Sequence, residues 1–380
     1  MNFEIKKEVF LHYLNQMQKI LPQKTLFPPN LYIKITMKED YFFLEVNNAN
    51  ISVRKKVKDD SLKVMQQGSI TVLGKHFTDI IKKIDHEFLK MATMEKRFLI
   101  IQTETSEYKL KTMNPDLFPF LNDFSFDFEN CFEIESECLI KLIKETIVAA
   151  SKDKPKVILT GLNLIYKKPF LTAIATDYFR VSQKKIPLNV EYSDFNVVVP
   201  VKSLEELNKL LEQQEEKFLK ISINEQKLCL NTDSLSFQTI LLEGEYPKIP
   251  KIKEDKFVYF FRLNRINLIK ILERLSLFLP KEGDISENIV EFKINRKNKK
   301  VEISSCSEII GKAIEEIEIL EEFLQNNYKT SFNVKSLEEI LKVFPTKYID
   351  FRFEMPTKPF IISNSENSSL LYLIFPFFNK

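Results

Sequence analysis

A segment near the N-terminus of this 380-residue chain returns twice at a constant interval. FEIKKEVFLHYL begins at Phe3, FEIESECLIKLI at Phe132 and FRLNRINLIKIL at Phe261, so each copy starts 129 residues after the one before it. Each copy has the pattern of a short strand, a polar turn and a helix with apolar residues at helical spacing. A constant long period indicates that one structural unit is repeated three times along the chain.

A second strand and helix recur inside each unit. The segments are SITVLGKHFTDIIKKI around Lys75, VVVPVKSLEELNKLL around Lys202 and TSFNVKSLEEILKVF around Lys335. In the last two, Ser203 and Ser336 precede a glutamate by three residues, which is the spacing of a capping box at the start of a helix. The sequence therefore predicts two strand-to-helix junctions in each unit.

An aromatic residue followed by proline closes each unit, at Phe118-Pro119, Tyr246-Pro247 and Phe375-Pro376. Apolar and polar residues alternate in segments 41–53, 98–112, 218–231 and 289–305. This alternation is typical of half-buried antiparallel strands. We predict an α+β protein made of three copies of one domain, each with antiparallel sheets and two helices. The predicted domains are residues 1–129, 130–255 and 256–380.

The composition argues against several classes of protein. The chain has 56 Lys+Arg and 53 Asp+Glu, and a net charge of +3 is too small to hold a polyanion by bulk attraction. Its six glycines form neither a GxxxxGK[ST] nor a GxGxxG loop, so a classical nucleotide site is not expected. The four cysteines form no CxxC pair, and the N-terminal segment is amphipathic. We therefore expect a reduced cytoplasmic protein without a signal peptide or a membrane span.

The candidate catalytic groups have simpler interpretations. His12, His76 and His86 are assigned to surface or packing roles. The pairs Glu205-Glu206 and Glu338-Glu339 recur in a predicted first helical turn, where acidic residues complement the helix dipole. The acidic and aromatic run 123–130 is interpreted as a connector between two domains and not as a metal site. A hydrolase using paired carboxylates remains the enzymatic alternative.

Four longer strings carry a family resemblance. They are NPDLFPFL (114–121), LTGLNLIYKKPFLTAIATDYFRVSQKKIPL (159–188), LLEGEYPKIPKI (241–252) and LYLIFPFFNK (371–380). Together with the three-fold repeat and the chain length, they resemble the bacterial sliding clamp, the beta subunit of DNA polymerase III. The resemblance covers all three units, and its ATDYFR and EYPKIPKI motifs are specific.

The resemblance implies a non-catalytic processivity factor that needs no cofactor. It implies a head-to-tail homodimer that closes six domains into a ring around double-stranded DNA. The partners implied are the DNA polymerase III catalytic subunit, the clamp loader, repair polymerases, mismatch repair proteins and DNA ligase, and no membrane. A compact domain of this size is about 35 Å across, so six domains leave a hole of about 35 Å whereas three leave only about 5 Å. A ring scaffold for another DNA transaction remains an alternative.

The resemblance also implies a groove that binds short peptides of polymerases and other partners. The matching positions are Leu159, Thr176, Tyr178, Phe179, Arg180, Val181, Pro247, Lys251, Ile252, Pro359, Leu373, Phe375, Pro376 and Phe377. Tyr178 and Phe179 replace the small and imidazole-bearing residues that are usual in the family, and phenylalanines stand where flexible methionines are common. We therefore expect a bulkier and stiffer groove. Packing of a final strand is the alternative interpretation of the FPFF string.

Two further sets of residues match functional positions of the family. The positions that would contact DNA are Lys24, Lys152 and Lys154, although Asp153 stands where the family has another polar residue. The positions that would form the dimer interface are Tyr108, Leu110, Leu277 and Phe278.

Overall fold

The computed structural model describes residues 1–95, 97–119, 126–152, 156–249, 257, 259–280, 288–364 and 367–377. Its helices all begin at the residue after a strand ends, as the repeat predicts. They are α1 (Lys7–Gln18), α2 (Gly74–Lys83), α3 (Ser136–Thr146), α4 (Val201–Leu211), α5 (Arg265–Leu275) and α6 (Val334–Val343).

The strands of the described residues form four sheets, and all their ladders are antiparallel. In spatial order, the five-stranded sheet is β5 (Lys63–Gln66), β1 (Asn2–Lys6), β7 (Phe88–Met94), β8 (Phe98–Gln102) and β9 (Glu107–Lys111). The eight-stranded sheet is β10 (Phe132–Glu135), β15 (Phe218–Ile223), β16 (Lys227–Asn231), β17 (Leu235–Ile240), β4 (Ile51–Val57), β3 (Phe42–Asn47), β2 (Tyr32–Met37) and β6 (Gly68–Leu73).

The other two sheets involve the last repeat. The nine-stranded sheet is β14 (Phe195–Pro200), β11 (Gly161–Lys167), β12 (Phe170–Thr176), β13 (Arg180–Pro187), β26 (Asn367–Ile374), β25 (Phe360–Asn364), β24 (Tyr348–Phe353), β18 (Tyr259–Asn264) and β22 (Glu321–Phe323). The four-stranded sheet is β21 (Gly311–Glu318), β20 (Lys300–Ser307), β19 (Ile289–Asn295) and β23 (Tyr328–Asn333). Every segment that was predicted from alternation contributes two strands.

The chain divides into two compact units that do not follow the three repeats. One unit is 1–140, 190–192 and 202–241, and the other is 141–189, 193–201 and 242–380. The division passes through the middle repeat because each of its sheets continues into a neighbour: β17 pairs with β4, and β13 pairs with β26. The predicted domain boundary at 255/256 lies outside the described residues.

Each unit has aromatic residues buried between its helices and sheets. In the first unit, the ring of Phe10 on α1 lies 5.7 Å from that of Phe42 and 5.9 Å from that of Phe77, between their centroids. In the second unit, Phe261 and Phe351 stack at 5.0 Å. Burial of each such side chain contributes about 1.5–3 kcal/mol to stability. The apolar periodicity of the repeat therefore corresponds to the core.

The predicted capping boxes are wrong. Ser203 and Ser336 are the third residues of α4 and α6, not residues that precede them. Asn333 caps α6, because its side-chain oxygen accepts a hydrogen bond from the Ser336 amide at 2.9 Å. The Ser203 hydroxyl instead accepts one from Thr239 at 2.8 Å. The two acidic pairs consequently lie in the second helical turn and not in the first.

The third aromatic-proline landmark is not equivalent to the first two. Pro119 and Pro247 are separated from the ends of β9 and β17 by short segments, whereas Pro376 is the second residue after β26. The Phe375 amide donates to the Phe179 carbonyl at 2.9 Å and so extends the β26 ladder. The equal sequence spacing at this point does not reflect an equal position in the fold.

Candidate functional site

Three apolar residues on neighbouring strands form the centre of the predicted groove, within the second unit. Val181 on β13 lies opposite Leu373 on β26, and Leu373 lies opposite Ile361 on β25. Residues that are directly opposite on antiparallel strands share one face of a sheet. These three side chains are almost fully buried in one cluster, and Ile249 and Phe257 pack against them. We call this cluster the apolar floor.

The turn from β12 to β13 borders the apolar floor and is held by side-chain hydrogen bonds. The Asp177 carboxylate accepts from the backbone amides of Phe179 and Arg180, each at 3.0 Å. The Thr176 hydroxyl accepts from the Tyr178 amide at 3.1 Å and donates to the Arg180 carbonyl at 2.7 Å. The ATD motif therefore fixes this turn through its two polar side chains.

Aromatic residues connect this turn to the C-terminal segment. The rings of Phe179 and Phe377 stack, with centroids 5.6 Å apart and an interplanar angle of 19°. The Phe377 amide donates to the Ser331 carbonyl at 2.8 Å. The side chain of Phe375 is 37% exposed next to Pro376, which is half-buried. The FPF segment thus combines backbone pairing with an aromatic surface that stays open to solvent.

The remaining predicted groove residues have mixed environments. Leu159 is buried in the 3₁₀ turn Val157–Thr160, and Pro359 is half-buried directly before β25. Pro247 is half-buried and follows Tyr246, whose hydroxyl accepts from the Thr176 amide at 3.0 Å. Burial raises the pKa of Tyr246 above its usual value, so the hydroxyl stays neutral. Lys251 and Ile252 lie outside the described residues.

Arg180 is buried behind the groove and is fully engaged with groups of the second unit. Its guanidinium donates to Asp177 at 2.9 Å, to the Ser336 carbonyl at 3.3 Å and lies 2.8 Å from a carboxylate oxygen of Glu339. Burial raises the pKa of Asp177, although the Arg180 charge opposes that shift. These contacts indicate that Arg180 positions the turn and does not present a free charge to a ligand.

Glu339 also binds Lys152, one of the three predicted DNA-contacting lysines. Lys152 Nζ lies 2.7 Å from Glu339 Oε1, while Arg180 occupies Oε2. Burial pushes the pKa of Glu339 upward, but the Lys152 hydrogen bond and the Arg180 charge outweigh it and hold the pKa below its usual value. Lys24 is exposed on a loop of the first unit. Lys154 lies outside the described residues.

A rim residue that sequence reasoning did not single out is Lys156. Its ammonium nitrogen lies 4.4 Å from the centroid of the Tyr178 ring and 3.0 Å from the Tyr178 hydroxyl. Lys156 lies two residues after Lys154 in the sequence, so its charge could be read from the sequence but its aromatic partner could not.

The predicted dimer residues of the first unit lie on β9, the last strand of the five-stranded sheet. Tyr108 and Leu110 are opposite buried residues of β8 and share their face. Lys109 and Lys111 alternate with them and lie on the other face. The outer edge of β9 pairs with no other strand of the described residues, so its backbone groups are available to another chain.

The predicted dimer residues of the second unit lie beside another edge strand, β21, which the sequence analysis missed. Leu277 is 69% exposed and Phe278 half-buried in the 3₁₀ turn Ser276–Phe278 that follows α5. One face of β21 lies against buried residues of β20. The other face carries Lys312, Ile314, Glu316 and Glu318, and Glu316 pairs with Lys300 of β20 at 2.6 Å. With Lys312 included, this face keeps a net negative charge, whereas the face of β9 with Glu107, Lys109 and Lys111 keeps a net positive charge.

Neither a metal centre nor a histidine-based catalytic site emerges from the described part of the chain. Its His, Cys, Asp and Glu side chains form no group of three or more that could hold a metal ion. The ring nitrogens of His12 and His86 pair with Gln16 and Thr105, at 2.8 and 3.0 Å. Within the same residues, every helix is too short or too polar to cross a membrane.

Comparison with known proteins assigns all three repeats to one family. Residues 1–122, 133–248 and 262–378 match the N-terminal, central and C-terminal domains of the DNA polymerase III beta subunit. A beta sliding clamp of Staphylococcus epidermidis is 30% identical over 99% of both chains, and one of Staphylococcus aureus is 29% identical over the same shares.

Solved structures agree with this assignment over the whole chain. The beta subunit of Streptococcus pyogenes DNA polymerase has a TM-score of 0.91 at 25% identity, and the Bacillus subtilis sliding clamp has 0.90 at 26%, each with 100% coverage of both chains. These matches confirm the predicted α+β fold of three clamp domains. The chain belongs to the DNA polymerase III beta subunit family, the bacterial beta sliding clamps.

Proposed function

We propose that two copies of this chain close a ring around duplex DNA and hold the polymerase there through a peptide bound in the groove. As a sliding clamp, the chain is a DNA polymerase processivity factor and not an enzyme. The observation that supports the groove is the exposed aromatic ring of Phe375 beside the apolar floor and the fixed turn. A peptide with apolar side chains would bury this surface, which favours binding.

Primer extension on a primed circular template tests this function. Product length with the cognate polymerase and clamp loader should increase when the chain is added. A ring scaffold for another DNA transaction would stay on circular DNA without lengthening the products. The carboxylate hydrolase is set aside, because sliding clamps are non-catalytic and Glu339 binds Lys152 and Arg180.

We extend the proposal to further partners. The clamp loader, repair polymerases, mismatch repair proteins and DNA ligase would use the same groove, in the cytoplasm where bacterial DNA lies. Each would then compete with the polymerase for one peptide site, and a groove-binding peptide should displace all of them.

Ring closure would join β9 of one copy to β21 of the other as neighbouring strands. Edge strands satisfy their free backbone groups by such pairing. The outer face of the joined sheet would bring Lys109 and Lys111 next to Glu316 and Glu318. The inner face would bring Tyr108 and Leu110 to the side where Leu277 and Phe278 lie.

Charge exchange should reveal this head-to-tail arrangement. Lys109→Glu with Lys111→Glu, and separately Glu316→Lys with Glu318→Lys, should each weaken the dimer about tenfold, because like charges meet at both interfaces. An equimolar mixture of the two variants should dimerise normally, since both interfaces of the mixed ring then join opposite charges. Sedimentation velocity measures all three samples. A mixture as weak as its components would contradict the pairing of β9 with β21.

Lys24, Lys152 and Lys154 are proposed to contact phosphates, each as one salt-sensitive contact without base specificity. Replacement of any of them by alanine should weaken binding to primed DNA and reduce the salt slope by up to about one unit. Glu339→Gln should strengthen binding modestly, because Lys152 is then released from a competing carboxylate. Fluorescence anisotropy across a salt series measures these effects.

Glu338→Gln is the matched control for Glu339→Gln. It removes the same charge from the same helix, but Glu338 lies 3.4 Å from Lys342 and contacts neither Lys152 nor Arg180 in the described structure. If both variants bound DNA more tightly by the same factor, the effect would come from the change in net charge and not from the release of Lys152.

Rings already closed on nicked circular DNA should remain there at high salt, because the closed ring and not ion pairing retains them. Escape from circles as fast as from linear fragments would contradict the ring.

A further inference from the structure

Four charged side chains of the second unit connect the loop of Lys152 to the β12–β13 turn. Lys152 Nζ lies 2.7 Å from one carboxylate oxygen of Glu339, and Arg180 lies 2.8 Å from the other. The Arg180 guanidinium also lies 2.9 Å from a carboxylate oxygen of Asp177. We call these four groups the ion-pair network. They alternate in sign, so each ion pair depends on the pair next to it.

The network is buried at one end and open to solvent at the other. The side chain of Arg180 is 5% exposed, whereas that of Lys152 is 70% exposed. At the buried end, Asp177 accepts hydrogen bonds from the amides of Phe179 and Arg180. The ring of Phe179 in turn stacks on that of Phe377. A change at the exposed end therefore reaches the aromatic surface of the groove through consecutive contacts.

The exposed pair of Lys152 with Glu339 is the one that a ligand can break. Such pairs contribute little to stability, and a phosphate forms charge-assisted hydrogen bonds with a lysine. When Lys152 moves to a phosphate, Arg180 is the remaining partner of Glu339 among the described residues. Glu339 then attracts Arg180 more strongly, and the hold of Arg180 on Asp177 weakens. The turn is consequently less firmly fixed.

We propose that the ion-pair network couples DNA contact to the groove, so that a client peptide and a phosphate on Lys152 weaken each other's binding. A peptide that packs against the fixed turn favours the state in which Lys152 stays on Glu339. Linkage makes the loss of affinity equal in both directions. A bound client would therefore remove one phosphate contact and let the ring slide more freely. This inference rests on the proposed groove and on the proposed DNA contact of Lys152.

A fluorescent polymerase-derived peptide tests the network with the dimer in the absence of DNA. Lys152→Ala should weaken its binding about two- to fivefold, as expected for the loss of an exposed ion pair. Lys152→Arg keeps the cation and should restore the wild-type affinity. Lys24→Ala is the matched control, because Lys24 is an exposed lysine of the first unit that is also proposed to contact DNA. It should leave peptide affinity unchanged.

A fully paired DNA duplex tests the opposite direction, because it has no unpaired bases that could enter the groove. Saturating peptide should weaken duplex binding by the same two- to fivefold factor and reduce the salt slope by up to about one unit. Fluorescence anisotropy of the labelled duplex measures both quantities. In Glu339→Gln the peptide should have no effect on DNA binding, because the carboxylate that joins Lys152 to Arg180 is gone. An undiminished effect in this variant would indicate direct competition and overturn the role of the network.

The coupling and the proposed function fail in different ways. If the peptide did not bind the wild-type protein at all, the groove would be wrong. If Lys152→Ala changed neither the DNA affinity nor the salt slope, Lys152 would not contact DNA, and the coupling would be wrong with it. If peptide and DNA both bound but neither changed the affinity for the other, only the coupling would be overturned.

Discussion

Replacing Leu277 and Phe278 together by aspartate should convert the dimer into monomers. Leu277 is 69% exposed in the single chain, and Phe278 is half-buried next to it. If these side chains meet β9 of a second copy, the variant buries uncompensated charges at both interfaces of the ring. Each such charge costs about 3–5 kcal/mol. The dimer dissociation constant should therefore rise at least a hundredfold.

Light scattering after size-exclusion chromatography measures the mass of this variant at micromolar concentration. Met355→Asp is a suitable control, because Met355 is also a largely exposed apolar residue of the second unit but lies in the segment between β24 and β25. The control should remain dimeric. A dimeric mass for the double aspartate variant would remove Leu277 and Phe278 from the interface.

Truncation of Phe375 to alanine should weaken the binding of a polymerase-derived peptide about five- to thirtyfold, as expected for an aromatic anchor at the centre of an interface. The backbone bond from residue 375 to the Phe179 carbonyl does not involve the side chain, so the strand ladder should survive. The products of primer extension should also become shorter, because the polymerase would leave the ring more often. Calorimetry gives the affinity, and the dimer mass should not change.

Phe323→Ala provides the matched control for the groove. Phe323 is an exposed phenylalanine on β22, the edge strand of the nine-stranded sheet, which lies four strands from β26. Its truncation removes a similar ring and should leave peptide affinity intact. If Phe375→Ala bound the peptide as well as this control does, the C-terminal aromatic string would be a packing element only.

The elements of the fold could be predicted because their signals are local. The strand-to-helix junctions at Phe3, Phe132 and Phe261 follow from periodicities within a dozen residues. The pairing of β17 with β4 and of β13 with β26 could not be predicted from such patterns, since it joins strands of different repeats. The prediction of the helix caps failed for a local reason. Asn333 and Ser336 both have side chains that can cap a helix, and only the backbone conformation at residue 333 decides which of them does so.

The residues of the candidate site could be predicted from the family resemblance, but the ion pairs and hydrogen bonds between them could not. A sequence shows Arg180 as a cation, but the structure shows that Asp177 and Glu339 already bind it. It shows Lys156 as one lysine among several, yet only the fold brings it to Tyr178. Long-range pairing of charges therefore decides which cations are neutralised inside the protein, and no spacing rule gives that pairing.

The two strand pairings between repeats also indicate how many peptides a ring would hold if the groove is the peptide site. At the pairing of β13 with β26, Val181 lies opposite Leu373. At the equivalent position of the pairing of β4 with β17, one repeat earlier, Ser52 lies opposite Gln238. Two polar side chains cannot supply an apolar anchor site. If the groove beside β13 and β26 binds peptides as proposed, each chain would have one such site among its described residues, and a dimer would have two. A polymerase bound at one of them would leave one site for every other partner on the same ring.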